Sequence, residues 1–340
     1  MNGIFRLAAG WLTRLAVPLK FTSLFASLGA LLFAFALPQA SAQTYPARTV
    51  TLVCPFPPGG SADIMARLVA QKLSEALGAT VIVENKPGGG SAVGSVFVAK
   101  AKPDGHTLLL ITGAYPAQAA LTLTPQFDAL RDIAMVSTIT SYPFLINVVA
   151  GSPWRNVSDL VAHAKANPGK LNYSTSGVGS IHHLSSELFN AMAGTEIIHI
   201  PTKGGNQAMT ELLAGRIDIL FEAPTMSLPY IKSGKLRALA VTSPGRWKTM
   251  PEIAPVAETL PGYDVASFIG VATTAGTPEP VIARLNREIR NVIEQPDTAR
   301  RLSELGGDPQ ASSPEEMQHL VDTVSRKWRN VIDVRKIERQ

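Results

Sequence analysis

Cysteine is almost absent from this sequence. Cys54 is the one cysteine among 340 residues, which excludes an internal disulfide framework, a cysteine-rich metal site and a CxxC redox pair. The six histidines show neither HExxH nor any other metal-ligand spacing. We therefore expect no metal and no cofactor, and we interpret Cys54 as a small buried apolar residue.

Motifs that bind nucleotide phosphates are missing as well. No glycine is followed by Lys and then Ser or Thr in the frame GxxxxGK[ST], which a P-loop requires. The nearest dinucleotide fingerprint is GGGSAVG, whose last glycine comes one residue late. Glycine-rich turns are present, but the sequence does not predict a nucleotide site.

The nucleophile elbow GxSxG is absent too. Ser61 and Ser180 each follow a glycine but lack the second glycine of that motif. His182 and His183 stand beside Ser180 at a predicted helix start, where a histidine could act as a base or bind an anion. We favour ordinary helix positions for them and predict no catalytic residue. A secreted serine hydrolase that uses Ser180 with His182 or His183 is a remote alternative.

A strong excess of charge of one sign is lacking beyond the N-terminus. Lys and Arg number 31 against 26 Asp and Glu. Arg6, Arg14 and Lys20 lie in the first 42 residues, which leaves 28 basic against 26 acidic residues in the rest. Most basic residues are scattered singly and lack aromatic neighbours, so we expect no nucleic-acid partner.

The first 42 residues have the pattern of a secretory signal peptide. Three basic residues and no acid precede a mostly apolar run from Phe21 to Leu37, and the small-residue site Ala40-Ser41-Ala42 follows. This pattern predicts cleavage near Ala42/Gln43 and a periplasmic protein. An uncleaved membrane anchor is the alternative. No later apolar run approaches about 18 residues, so the mature protein should be soluble.

From Thr49 onward, strand and helix patterns alternate. Strands are predicted at 50–54, 80–84 and 107–111, with helices at 64–77 and 93–100 between them. This βαβαβ order is typical of an α/β fold with parallel strands covered by helices. The apolar stretches PFLINVVA and ASFIGVATTA could carry the chain between two lobes. The Pro- and Gly-rich segment 244–263 is predicted to be a surface excursion.

Glycine-rich turns lead into predicted helices at four places, PFPPGGSAD, PGGGSAVG, SGVGSIHHL and KGGNQAMTELL. The backbone N–H groups of a first helical turn have no internal partner, so such turns can bind an anion. Ser61 is the expected helix cap of the first turn, and Ser158 and Ser313 are expected to cap later helices. Glu222 is expected at the carboxyl end of a strand, the edge where α/β folds hold ligands.

These motifs together resemble the substrate-binding proteins of tripartite tricarboxylate transporters, also called the Bug family. The resemblance runs from YPARTVTLVCPFPPGGSADIMARLV through NYSTSGVGSIHHLSSELF and HIPTKGGNQAMTELLAGRIDILF to AGTPEPVIARLN. It implies a type II periplasmic binding protein fold, in which two α/β lobes joined by crossing strands enclose a ligand cleft. One lobe would comprise residues 43–143 plus 267–340, and the other residues 144–266.

The resemblance also implies how a ligand is held. One turn from each lobe would grip a ligand carboxylate, partly through main-chain amides and ordered waters. The implied ligand-binding residues are Phe56, Pro57, Pro58, Gly59, Gly60, Ser61, Asp63, Ala114, Tyr115, Ser176, Gly177, Val178, Gly179, Ser180, His182, Thr202, Lys203, Gly204, Glu222 and Ala223.

The chain departs from the family pattern at positions that would select the ligand. Many members read D-N-x-P after the IDxxF strand and carry Tyr before the Lys of KGG, whereas this chain has Glu222, Ala223 and Thr202. We therefore expect a small organic carboxylate as the ligand without naming it, and membrane permease subunits as partners. A sensor or adaptor of the same fold that signals to a membrane receptor is the alternative.

Overall fold

The computed structural model describes residues 45–123, 126–335 and 337–339. The predicted signal peptide, residues 1–42, lies outside them. The described residues contain eleven strands: β1 (Val50–Cys54), β2 (Val81–Asn85), β3 (Thr107–Thr112), β4 (Ile133–Pro143), β5 (Leu145–Val149), β6 (Asn172–Thr175), β7 (Ile198–Pro201), β8 (Ile219–Glu222), β9 (Leu236–Val241), β10 (Ala266–Thr274) and β11 (Asp308–Pro309).

Ten α-helices lie between and after these strands in the described chain. They are α1 (Ser61–Leu77), α2 (Ala92–Ala99), α3 (Ala114–Leu121), α4 (Val157–Ala166), α5 (Ile181–Ala193), α6 (Gly205–Leu213), α7 (Pro224–Lys232), α8 (Glu279–Glu294), α9 (Pro296–Glu304) and α10 (Pro314–Arg335). In this part of the chain, no helix combines the length and the apolar character that crossing a bilayer requires.

The strands form two sheets. One has six strands in the order β11-β4-β10-β3-β1-β2, and the other has five in the order β7-β6-β8-β5-β9. β1 pairs in parallel with β2 and β3, and β6 pairs in parallel with β7 and β8. Helices connect these parallel neighbours, as such crossovers require. The predicted α/β class is therefore confirmed.

The chain passes between the sheets at two places. Phe144 alone separates β4 of the six-stranded sheet from β5 of the five-stranded sheet, and the chain returns from β9 to β10. The first passage lies in the stretch PFLINVVA, whereas the second runs through residues 242–265 and ends where ASFIGVATTA begins as β10. Tyr45–Gln340 forms one compact unit, so the lobe boundaries at 143/144 and 266/267 stay a prediction.

Apolar side chains of both sheets join in one buried core. The helices cover it with residues spaced at helical intervals: Met65, Val69 and Leu73 of α1 and Leu285 and Ile289 of α8 are all at most 5% exposed. Burying each side chain of this size stabilises the fold by roughly 1.5–3 kcal/mol relative to leaving it in water.

Two of the predicted helix caps are wrong and one is confirmed. Gly60, not Ser61, precedes α1, and the cap of α4 is Asn156, whose side chain accepts a hydrogen bond from the Asp159 N–H. At α10 the predicted capping box is present: the Ser313 N–H donates to Glu316 at 2.7 Å, and the Glu316 N–H donates to the Ser313 hydroxyl at 3.1 Å. This reciprocal pair fixes where the last helix starts.

Segment 244–263 is not merely a surface excursion. Trp247 is 4% exposed and Tyr263 is fully buried. The Tyr263 hydroxyl donates to the carbonyl of Ser185 at 3.0 Å. The Pro- and Gly-rich composition predicted the irregular backbone correctly, but the aromatic residues tie that backbone to the core.

Candidate functional site

A cavity of about 660 Å³ is lined by residues that follow strands of both sheets. The first residues of four helices line it: Ser61 of α1, Ala114 of α3, Ile181 of α5 and Gly205 of α6. The unpaired N–H groups and the positive dipole ends of helices favour negative charge. The backbone alone therefore makes this cavity suitable for an anion.

The turn from Pro57 to Ser61 is held by a buried carboxylate. Gly59 has φ +78°, a conformation that glycine adopts without strain, and its N–H donates to Asp63 at 2.9 Å. Asp63 also accepts hydrogen bonds from Arg67 at 2.9 Å and Asn85 at 2.8 Å. Burial alone would raise the pKa of Asp63, but these bonds outweigh it and lower the pKa. Asp63 thus positions the turn without lining the cavity.

The corresponding turn of the other sheet, Thr175 to Ser180, is held by hydroxyl groups. Gly177 has φ +128°, which a side chain would strain, and its N–H donates to the Thr175 hydroxyl at 3.2 Å. The Ser180 hydroxyl caps α5 by accepting from the His183 N–H at 3.2 Å. The turn is therefore fixed before any ligand binds.

A third turn, Gly204 to Asn206, touches the turn from Pro57 to Ser61. The Asn206 side-chain amide donates to the carbonyl of Pro58 at 3.4 Å. A side chain at Gly204 would lie 3.3 Å from the Pro57 ring, so the two backbones approach closely. Elements of the two sheets thus meet beside the cavity.

One part of the cavity wall, here called the Glu222 wall, consists of Tyr142, Phe144, His182 and Glu222. The Ser176 hydroxyl lies 3.1 Å from His182 Nδ1, and His182 Nε2 lies 3.6 Å from Glu222 Oε1. Burial raises the pKa of Glu222 to about 7 and lowers the pKa of His182 to about 4. Near neutral pH the imidazole is uncharged, so these two groups do not form an ion pair.

Most of the residues implied by the resemblance come together around this cavity. Those that line it are Phe56, Pro57, Gly60, Ser61, Ala114, Ser176, Gly177, Val178, Ser180, His182, Lys203, Gly204 and Glu222. The others, which do not line it, are Pro58, Gly59, Asp63, Tyr115, Gly179, Thr202 and Ala223. A ligand-binding role for any of these residues stays a prediction.

Several of the non-lining residues have structural contacts instead. The Tyr115 hydroxyl donates to the carbonyl of Ala129 at 2.6 Å, and the Thr202 hydroxyl donates to the carbonyl of Thr175 at 2.7 Å. The Ala223 N–H donates to Glu222 Oε1 at 2.8 Å. These contacts fix the surroundings of the cavity rather than its surface.

Sequence reasoning missed part of the lining. The lining residues that were not among the implied ligand-binding residues are Pro55, Ala62, Pro87, Gly88, Gly89, Gly90, Ser91, Thr112, Tyr142, Phe144, Ile181, Gly205, Asn206 and Ser267. The glycines of PGGGS belong to one of the four glycine-rich turns noted in the sequence, but the family resemblance did not assign them to the site. Phe144 forms the first passage between the sheets and Tyr142 lies near the end of β4 just before it, so the aromatic residues of SYPF were the available signal for them.

A second cavity, of about 790 Å³, is lined by residues of α2, α3 and α10. Its ionisable residues, Asp128 and Arg329, are exposed. It is larger than the first cavity, but it lacks that cavity's convergence of helix starts. In the part of the chain that the structure describes, no group of three His, Cys, Asp or Glu residues could hold a metal ion.

Comparisons with known proteins agree with this geometry. The family model described as the tripartite tricarboxylate transporter family receptor matches residues 65–337. BugT of Bordetella pertussis is 33% identical over 295 residues, which cover 86% of this chain and 90% of BugT.

Solved structures give the same result. A protein of R. palustris solved with adipate matches this structure with a TM-score of 0.83 and a sequence identity of 33%. The match covers 86% of this chain and 99% of the R. palustris chain. MatC of Rhodopseudomonas palustris with bound malate has a TM-score of 0.79 and 29% identity, over 85% of this chain and 100% of its own. The periplasmic binding protein BugD has a TM-score of 0.82 and 30% identity, over 87% of this chain and 100% of its own. The chain therefore has the fold of these proteins and belongs to the tripartite tricarboxylate transporter receptor family.

Proposed function

We propose that this protein is a periplasmic receptor that captures a small organic carboxylate in the 660 Å³ cavity and delivers it to the membrane subunits of a tripartite transporter. The observation that carries the proposal is the arrangement of four helix starts, at Ser61, Ala114, Ile181 and Gly205, around one cavity. The adipate and malate in the solved relatives support the ligand class.

Backbone amides supply most of the attraction for the carboxylate. Among the described residues that line the cavity, Lys203 alone has a permanent positive charge, and it is exposed. Hydrogen bonds from N–H groups to an ionised oxygen are short and about twice as strong as neutral ones. A small carboxylate held by turns of both sheets would favour the arrangement in which those turns approach each other.

A thermal-shift panel tests the ligand class. The exported, purified protein would be heated with mono-, di- and tricarboxylates and with the primary amide of each acid. We expect at least one carboxylate to raise the unfolding temperature while its amide does not, because the amide lacks the charge that the helix starts favour. Equal shifts with acid and amide, or no shift across a wide panel, would count against the proposal.

We also propose that the protein does not catalyse a reaction. Ser176, His182 and Glu222 form a row that resembles a hydrolase triad, but His182 and Glu222 are separated by 3.6 Å, longer than a hydrogen bond. Burial lowers the pKa of His182 to about 4, which makes it a weak base at neutral pH. With ester substrates such as p-nitrophenyl acetate, the wild type should show no more turnover than the variant Ser176→Ala.

Delivery to a transporter, rather than signalling, is tested in cells. Deleting the gene should abolish uptake of the radiolabelled carboxylate that the thermal-shift panel identifies, and restoring the gene should restore uptake. Uptake that is unchanged by the deletion, combined with a lost transcriptional response to the same compound, would favour the sensor role instead.

A further inference from the structure

Glu222 is a buried acid whose carboxylate is partly open to the cavity. It lies at the carboxyl end of β8, is 2% exposed and lines the cavity. Within the described chain, its one hydrogen-bond donor is the Ala223 N–H, at 2.8 Å from Oε1. A methyl group on Gly205 would lie 2.7 Å from Oε2. Oε2 therefore lies against the backbone of Gly205, and both residues line the cavity.

The neighbouring imidazole does not satisfy this carboxylate. Ser176 holds His182 Nδ1, while His182 Nε2 is inaccessible to solvent and has no hydrogen-bond partner among the described residues. Nε2 stands 3.6 Å from Glu222 Oε1. Two polar groups therefore lie side by side in the Glu222 wall, and a buried polar group without a partner costs free energy unless a ligand or water pairs with it.

The rest of the Glu222 wall suits a cation. Phe144 and Tyr142 are 1% and 6% exposed, and their rings meet edge to face with centroids 6.0 Å apart. Aromatic rings beside a carboxylate are a common environment for an ammonium group. A second ligand carboxylate here would meet a like charge in a poorly solvated site, whereas an amine would meet an opposite charge.

We propose that Glu222 is the counter-ion of a protonated amine on the ligand, so that the protein takes an amino carboxylate in preference to a plain dicarboxylate. This inference rests on the proposed function, since the ligand carboxylate is assigned to the helix starts. The titratable groups beside Glu222 are His182 of α5 and Tyr142 of β4, while Lys203, which precedes α6, lines the cavity with an exposed side chain. None of the three has an acidic side chain that could replace Glu222 as the partner of an amine.

The test is calorimetric titration at pH 8, where the Glu222 carboxylate is ionised. The probes are three pairs in which an aminomethyl group replaces one carboxylate: 4-aminobutanoate with succinate, 5-aminopentanoate with glutarate, and 6-aminohexanoate with adipate. In the wild type, at least one amine probe should bind roughly tenfold or more tightly than its dicarboxylate partner. This is the selectivity expected when one buried ion pair replaces a like-charge contact.

The variant Glu222→Gln should reduce that selectivity roughly 30-fold or more, because a buried charge loses its partner. The matched control is Glu196→Gln, the same substitution at an exposed glutamate of the loop before β7, which should leave the selectivity unchanged. The wild-type comparison does not depend on the folding of either variant.

Tighter binding of the dicarboxylate in every pair would overturn this inference, yet it would uphold the proposed function. An amine preference that survives Glu222→Gln would also overturn it. If none of these probes binds, the inference is overturned, and the wide thermal-shift panel of acids and amides decides separately whether the proposed function stands.

Discussion

In the ligand-free protein, the stability of Glu222→Gln relative to that of the wild type should be greater at alkaline pH than at acid pH. The carboxyl group of Glu222 is 2% exposed, and burial raises its pKa from 4.5 to about 7. Gln has nearly the same shape, cannot ionise, and still offers an oxygen to the Ala223 N–H. The substitution therefore removes the titration while it retains the one hydrogen bond.

The sign follows from where the proton is bound. Between pH 4.5 and about 7 the folded protein retains a proton that the unfolded chain has released, so each rise in pH destabilises the fold. The contribution is fully present below the unfolded pKa and is lost as pH rises through the folded pKa. At about 1.4 kcal/mol per pKa unit, the free energy of unfolding of the wild type should fall by about 3 kcal/mol relative to the variant.

The assay is urea unfolding of wild type, Glu222→Gln and the control Glu196→Gln from pH 4 to pH 8 at constant ionic strength. Bound ligand must first be removed, since a ligand that binds the folded state alone adds stability. The stability difference between Glu222→Gln and wild type should grow with pH, while the difference for the control should not. A difference for Glu222→Gln that stays constant across this range would refute the reasoning.

Three further predictions concern other parts of the molecule. Burial lowers the pKa of His182 from 6.5 to about 4. As pH falls through this interval, the free energy of unfolding of the wild type should therefore decrease by about 3 kcal/mol relative to that of His182→Gln. If urea unfolding gave the same pH dependence for both proteins, this prediction would be contradicted. Gly59→Ala should lower the free energy of unfolding by about 1–2 kcal/mol, because φ is +78° and alanine disfavours that region; an unchanged urea midpoint would contradict the account of that turn. Trp328→Ala should lower the free energy of unfolding by about 3–5 kcal/mol, because the residue is 2% exposed in the core and its truncation leaves a cavity; a loss below about 1 kcal/mol in thermal unfolding would show that it contributes little packing.

Much of the fold could be predicted because the local patterns agree with the tertiary structure. The first strand has both of its predicted boundaries, Val50 and Cys54, and the helix that follows ends at Leu77, as predicted. Gly78 has φ +65°, and this left-handed conformation, which glycine commonly adopts after the last helical residue, ends the helix. At such places local propensity and packing favour the same structure.

Strand β4 shows what local patterns cannot predict. Its residues 137–141 read STITS, a polar-rich run, yet Ser137, Thr138 and Thr140 are at most 6% exposed. Their hydroxyl groups bond to carbonyls of residues 308–312, far away in sequence. Helix α3 was missed for a related reason: it is short and contains Pro116, and packing against α10 and α5 holds it in place.

The site was predictable where it is made of backbone and less so where it is made of side chains. Glycine-rich turns before helices mark Gly60, Ser61 and Gly177 directly in the sequence. The position of Glu222 beside His182 depends on how α5 and β8 lie next to each other, which no local pattern specifies. The turns therefore predict an anion site, and the family resemblance names Glu222 and His182, but only the structure shows that these two side chains lie 3.6 Å apart.

We propose that the helix starts around the 660 Å³ cavity bind a carboxylate through its charge. The most direct measurement is calorimetric titration of the exported protein with the carboxylate that gives the largest thermal shift and, separately, with its primary amide. We predict one binding site per chain for the acid and an affinity at least about 100-fold weaker for the amide, a difference of about 2.7 kcal/mol. Equal affinities for acid and amide would contradict the account.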